Sequence, residues 1–311
     1  MRVDAHMHAW SRLDGRIRGV ETVQPLGAGR VRIGGPGSAS RVVLGMPPIL
    51  LDCLALGEHA LAQFDAHGVD AGVLVQEYLD GEQNAYSLDL EQRFPGRFFA
   101  FALPDFFRPE AEAAAECQRL LDQGFRGLKI CGGQLQGRFA FDHPKFTPIW
   151  QRLEREGLAL AVDFCEGPEQ VPAFERVLAD FPRLRVAIGH FGLPTRGGWP
   201  EQLLLARHEN VRLECGGIVW LYRDEGYPFP QAQRALAEAR DRVGIEKLMW
   251  GSDWPRTMCD FTYAQSLRFV EQSPLLTDRE KLLFLGENAR SFYGFTAPAA
   301  ARLPIDPITA L

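Results

Sequence analysis

Two histidines one residue apart, His6 and His8, stand in the stretch DAHMH at the end of the first apolar run of the chain. Side chains alternate across a strand, so both rings face the same way. Imidazoles so placed lie roughly 6–7 Å apart along the strand and can converge on one metal ion. Asp4 has the same parity one step deeper, where a carboxylate orients an imidazole. The pair fits equally well two rings that hydrogen-bond loop backbone. Other residues with the same chemistry recur downstream. His190 follows the apolar run VAIG, Asp253 stands in MWGSDWP, and Asp163 ends the run LALAVD. In that run Leu160, Val162 and Phe164 fall on one side, and Ala159, Ala161, Asp163 and Cys165 on the other. Asp163 is therefore expected to point inward, where a carboxylate needs a cation or donors. Lys129 in GLKIC and Arg256 after GSDWP are either anchors for a substrate carboxylate or solvated loop residues. Glu77 and Glu214 are ligands or pocket walls. Trp10, Trp220, Tyr222 and Trp254 are candidate pocket walls.

These residues share a position: each candidate ligand or anchor stands at or just beyond a strand end. Strands are expected at 2–6, 71–76, 97–102, 127–130, 158–164, 185–190, 211–216 and 247–253. Helices are expected between them at 53–67, 84–93, 109–123, 144–156, 170–181, 199–208 and 229–243, with 261–272, 278–285 and 287–293 closing the chain. Strands separated by helices pair in parallel. Eight such units in 311 residues suit an α/β fold, a (β/α)8 TIM-type barrel, whose chemistry sits at the C-terminal ends of the strands. The rival, an open doubly wound sheet, needs a glycine-rich phosphate turn after its first strand, and HMHAW provides none. The barrel is expected to span residues 1–295 as a single domain. Residues 9–46 are too long for an ordinary connection and read as a loop or hairpin over the site. Arg30, Arg32 and Arg41 on this insert suit an anionic substrate or a solvated surface. The Pro- and Ala-rich tail, 296–311, packs loosely or swaps onto a neighbour in a homo-oligomer.

The bulk composition narrows the function classes. The net charge is −6 with no basic block, which argues against nucleic acid. No run approaches the roughly 20 apolar residues of a membrane span. The six cysteines are scattered without a CxxC pair, and no secretory pattern is visible at the start, so a reducing cytoplasm is expected. His59, His67, His143 and His208 read as surface or structural.

The stretches VDAHMHAW, GFRGLKI, DHPKFTPIWQRLEREGLALAVDF, VAIGHFGLP, LMWGSDWP and ENARSFYGF occur in this order. Together they resemble the amidohydrolase superfamily, of the amidohydrolase family 2 type. The branch most similar is that of lactonases such as L-fuconolactonase and 2-pyrone-4,6-dicarboxylate lactonase; a sister branch holds non-oxidative decarboxylases. The resemblance implies a hydrolase that opens a lactone or similar ester of a small organic or sugar acid, anionic or neutral. It implies catalytic roles for Asp253, as general base on water, and His190. His6, His8 and Asp253 would hold a divalent metal, zinc or manganese, with His190 and Asp163 as further ligands. Lys129, Asp163, Arg256 and Trp254 would bind substrate. One departure bears on the metal: many members place a histidine where this chain has Asp163, and the lactonase branch often lacks it, with some members working without an ion. Two readings stay open beside the lactonase. One is a metal-dependent decarboxylase of a small aromatic or unsaturated acid. The other is a non-catalytic barrel that binds a small ligand.

Overall fold

The eight alternating apolar runs of the sequence form eight parallel strands in a computed structural model, which describes residues 1–296. They are β1 (Val3–Met7), β6 (Ala71–Leu74), β7 (Phe98–Ala100), β8 (Gly127–Cys131), β9 (Ala159–Asp163), β10 (Arg185–Ile188), β11 (Val211–Glu214) and β12 (Leu248–Met249). The first three pair in the order β1-β6-β7 and the other five in the order β8-β9-β10-β11-β12. Two seams join the groups. At one, Ala102 pairs with Leu128, with Ala102 N–H donating to Gly127 O (3.0 Å) and Lys129 N–H to Ala102 O (2.7 Å). At the other, Met7 pairs with Trp254; Ala5 N–H donates to Trp250 O (2.8 Å), Asp253 N–H to His6 O (2.8 Å) and His8 N–H to Trp254 O (2.7 Å). The eight strands thus form the expected (β/α)8 barrel. The run expected as a strand at 247–253 is regular only over two residues, because 250–254 bend across to bond β1.

The barrel interior is filled from below by small and aromatic side chains. Val3, Ala5, Ala159, Ala161 and Ala187 form one buried cluster with Phe99, Phe101 and Tyr293. Tyr293, on the last helix, stacks within 5.0 Å of Phe99 and closes the lower end. Leu160, Val162, Val186 and Ile188 have the opposite parity and pack outward against the helices. The interior is therefore solid at its base and polar only where the strands end. The helices carry their own stop and start signals: Thr262 and Thr277 both form capping boxes, with Gln265 and Glu280 reciprocating. The helix expected from residue 53 begins instead at Gly57, because Ala55 forms an antiparallel bridge with Trp10.

Residues within the 9–46 stretch form an antiparallel sheet, β2 (Arg16–Ile17), β3 (Glu21–Gly27), β4 (Arg30–Gly34) and β5 (Arg41–Leu44). Strict alternation sets its faces. Val23, Val31 and Ile33 are buried toward the barrel, while Arg30 and Arg32 are exposed. Residues 297–311, most of the tail expected to pack loosely or to swap, lie outside the described residues. No helix among the described residues is long and apolar enough to cross a membrane.

Asp4 does not share the face of His6. The pairing of β1 with β6 slips between Asp4 and Met7, and the carboxylate turns to the outer side. There it accepts from Ser252 N–H (2.8 Å), Ser252 Oγ (2.5 Å) and Tyr263 O–H (2.9 Å). It orients the β12 turn and touches no imidazole. Burial pushes its carboxyl up to about 7, against these donors. Tyr263→Phe removes one donor from a fully buried acceptor. It is expected to lower unfolding stability by about 1–2 kcal/mol in urea titration; an unchanged midpoint would mean that the Tyr263 bond does not hold this turn.

Candidate active site

The strand ends bring five of the sequence candidates into one cluster. The rings of His6 and His8 lie 5.2 Å apart, and those of His6 and His190 lie 4.8 Å apart. The ligand atoms of His6, His8 and Asp253 all lie within 4.8 Å of one another, as do those of His6, Asp163 and His190. His6 belongs to both sets.

Backbone carbonyls decide which nitrogen each ring presents. His8 Nδ1 lies 3.0 Å from Val75 O, and His190 Nδ1 lies 2.8 Å from Gly216 O. A carbonyl only accepts, so each Nδ1 carries the hydrogen, and the neutral ring leaves a lone pair on Nε2. His8 Nε2 faces Asp253 Oδ1 at 2.9 Å. Two acceptors at that distance require a proton or a cation between them. His6 differs: its Nδ1 lies 2.5 Å from Glu214 Oε1, and its buried Nε2 has no hydrogen-bond partner among the described residues, with Asp253 Oδ1 3.8 Å away. Burial, with His190, Lys129 and His8 nearby, pushes the His6 imidazolium well down, so the ring is neutral. Burial beside Asp163 pushes the Glu214 carboxyl well up. One hydrogen therefore lies between Nδ1 and Oε1. A cation at His6 Nε2 requires that hydrogen on Nδ1, with Glu214 ionised.

Lys129 lies beneath the histidines, fully buried, with Nζ 2.5 Å from Asp163 Oδ2. Burial pushes its ammonium down, but Asp163, Cys131 and Glu214 outweigh it and hold the group above its ordinary value. Asp163 stays below the usual carboxylate range despite burial, because Lys129 and His190 face it. Its Oδ1 is buried without a hydrogen-bond partner. Gly189 allows this crowding: a Cβ there would collide with Asp163 Oδ1. The two site residues contributed by loops sit in the left-handed region, His190 at φ 53° and Asp253 at φ 56°. Such strain persists only where surrounding bonds over-determine it, here Gly216 O on the His190 ring and His6 O on the Asp253 N–H.

Asp253 lines a cavity of about 400 Å³ between the cluster and the antiparallel sheet. Arg256 lines it too, but is engaged: it pairs with Asp80, donates to Gly45 O (3.2 Å) and lies 5.2 Å above the Trp10 ring. Burial pushes its guanidinium down to about 10. Lys129 and Trp254 are not among the residues lining this cavity. Lys129 is held below by Asp163. Trp254 borders a different cavity with Leu50, His59 and Met258, because the turn after Asp253 sends consecutive side chains to opposite sides. Trp220 lines the first cavity, whereas Arg30, Arg32 and Arg41 do not. Glu214 is the site residue that strand-end reading placed least well. Its signal was parity: Val211 and Leu213 pack outward, so Glu214 turns into the barrel.

The fit of a metal rests on donors. Two imidazole nitrogens and a carboxylate oxygen converge, His6 Nε2 has no hydrogen-bond partner among the described residues, and a carbonyl or a carboxylate holds each far ring nitrogen, as ligand imidazoles require. The residues fit one divalent ion.

Residues 3–295 match the amidohydrolase family. The chain is 29% identical over 247 residues to an L-fucono-1,5-lactonase of Burkholderia ambifaria, covering 75% of this chain and 82% of the relative. It is 25% identical over 209 residues to a 4-sulfomuconolactone hydrolase of Rhizobium radiobacter, covering 64% and 66%. A zinc-bound amidohydrolase structure from Burkholderia multivorans superposes with a TM-score of 0.67 at 19% identity, covering 95% of this chain and all of that one (100%).

Glu214→Gln preserves shape but replaces the carboxylate at His6 Nδ1 with an amide. Calorimetric titration with zinc is expected to show affinity reduced about 10- to 100-fold, with the circular dichroism spectrum unchanged. Unaltered affinity would remove Glu214 from the orientation of His6.

Proposed function

The chain belongs to the amidohydrolase family, and from that premise we propose that it is a hydrolase that opens lactones, with Asp253 as the general base. Both curated relatives described above are lactone hydrolases by name. The observation that carries the assignment of roles is geometric: Asp253 faces the cavity while its Oδ1 touches His8 Nε2. A decarboxylase and a non-catalytic barrel draw no comparable support from these relatives.

A lactone carbonyl requires a nucleophilic water and stabilisation of the charge that develops on oxygen. Asp253 takes a proton from water as the water oxygen bonds the carbonyl carbon. The ring C–O bond then breaks, and the departing oxygen recovers the proton from Asp253. The product is the open hydroxy acid, and the carboxylate is regenerated. A free aspartate, with a pKa near ~3.9, is a weak base for water, which suits a strained or activated ester better than an amide. Asp253 is held in place by its own N–H on His6 O and by the Ser252 turn that Asp4 grips. His190, fixed by Gly216 O, faces the same reaction centre from the opposite side of His6.

His6, His8 and Asp253 would hold one divalent ion, zinc or manganese, with His190 and Asp163 beside it. When bound there, such an ion supplies Lewis-acid polarisation of the carbonyl and lowers the pKa of water toward ~7. Lys129 is assigned to Asp163: its charge lets that largely buried carboxylate remain ionised.

Asp253→Asn is expected to lower kcat for lactone opening by about 10²–10⁴-fold, read as acid release in a pH-indicator assay. Turnover within a few-fold of wild type would refute the base. Elemental analysis of protein purified without chelator is expected to show about one zinc or manganese per chain. Prolonged chelation should abolish activity and re-addition restore it; full activity in metal-free protein would overturn the ion's role.

A further inference from the structure

The walls of the active-site cavity carry a specificity that the catalytic cluster does not. Val23, Val31, Ile33 and Val43 project into it from β3, β4 and β5, and Leu13 and Leu79 extend the same surface. Its charged lining residues balance: Arg223 and Arg256 against Asp253 and Asp260. Both arginines are occupied, Arg256 by Asp80 and Arg223 by Asp260 at 3.4 Å. Each lining arginine thus already has a carboxylate partner. Two lining residues hold buried donors without a hydrogen-bond partner among the described residues, Trp220 Nε1 and Arg256 Nε. A lactone offers only acceptors, at its carbonyl and ring oxygens. A sugar lactone adds several hydroxyls, and each buried without a partner costs roughly 1–3 kcal/mol. The volume of about 400 Å³ lies within the usual range for small-molecule sites.

Resting on the lactonase reading, we propose that the substrate is a neutral lactone bearing an apolar substituent, an alkyl chain or an aryl group. The substituent is selected by the valine and isoleucine face of the antiparallel sheet. The ester lies toward Asp253 and the substituent against Val31 and Ile33. Arg30 and Arg32 of the same sheet take no part in recognition, because alternation turns them to the solvent; Arg41 shares the side of Val43 but is paired with Glu21 and does not line the cavity.

The test is a panel on the purified wild-type protein with its metal: unsubstituted δ-valerolactone, a δ-alkyl series of one to five carbons, L-fucono-1,5-lactone and a carboxylated δ-lactone. The expected result is a kcat/KM that rises roughly threefold per added methylene over the first few carbons. The longest alkyl lactone should exceed both the sugar lactone and the carboxylated lactone at least tenfold. A flat or falling alkyl series, or preference for the sugar or charged lactone, overturns the apolar assignment and leaves the lactonase reading standing. Hydrolysis of none of the panel overturns the lactonase reading itself, and the proposal with it. Val31→Thr and Ile33→Thr keep strand propensity while placing a hydroxyl on the cavity wall. Each is expected to flatten the alkyl series, with a loss of about tenfold at its long end; a slope equal to wild type in both variants would remove the sheet from recognition.

Discussion

The seam between β1 and the β12 turn is the constraint on which the site depends. Three backbone hydrogen bonds cross it, from Ala5 to Trp250, from Asp253 to His6 and from His8 to Trp254. They place residues nearly 250 positions apart in sequence within hydrogen-bond distance, so that His8 Nε2 meets Asp253 Oδ1. The same seam absorbs two irregularities. β1 slips its register between Asp4 and Met7, and Asp253 adopts a positive φ. Asp4, displaced outward by the slip, grips Ser252 and Tyr263 and stabilises the turn that carries Asp253.

Above that seam the barrel concentrates ionisable groups in a place that disfavours charge. Glu214, Lys129 and His6 are removed from water and Asp163 largely so, and the chain meets the cost by pairing them unequally. Lys129 and Asp163 form an ion pair that stays charged. His6 and Glu214 share a hydrogen and are driven toward neutrality. The result is a His6 ring whose Nδ1 is committed and whose Nε2 has no hydrogen-bond partner among the described residues. Two carbonyls, Val75 O and Gly216 O, impose the same polarity on His8 and His190. Glu214 and two backbone carbonyls thus hold the Nδ1 of all three rings, which leaves each Nε2 on the other side.

The antiparallel sheet over the barrel mouth separates chemistry from selection. Its strand β4 alternates Arg30 and Arg32 with Val31 and Ile33, and the pleat sends the apolar pair to the cavity and the arginines to water. Chemistry can then remain on the rigid strand ends while the covering sheet changes.

Much of this was legible from residue types and spacing. Eight apolar runs separated by helices dictated a parallel barrel, and the polar residues at their ends marked the face where chemistry occurs. The inward direction of Asp163 followed from the small–large alternation of LALAVD, because parity is a local property of a regular strand. Parity failed where the strand was irregular: Asp4 counts onto the face of His6 but lies opposite, since a register slip depends on the partner strand. Lys129 and Trp254 looked equally available to substrate, yet one is buried under Asp163 and the other is turned away by the Asp253 backbone. Glu214 was visible as a polar strand end, but its partnership with His6 was not, because it joins β1 to β11 past the intervening β12. The sequence by itself determined the repeating elements, the faces of its regular strands and the residue types that supply acid–base and ligand chemistry. Tertiary structure alone decided which of those residues meet, which ring nitrogen each histidine presents and which charges cancel, because these depend on distances across a closed ring that no local pattern encodes.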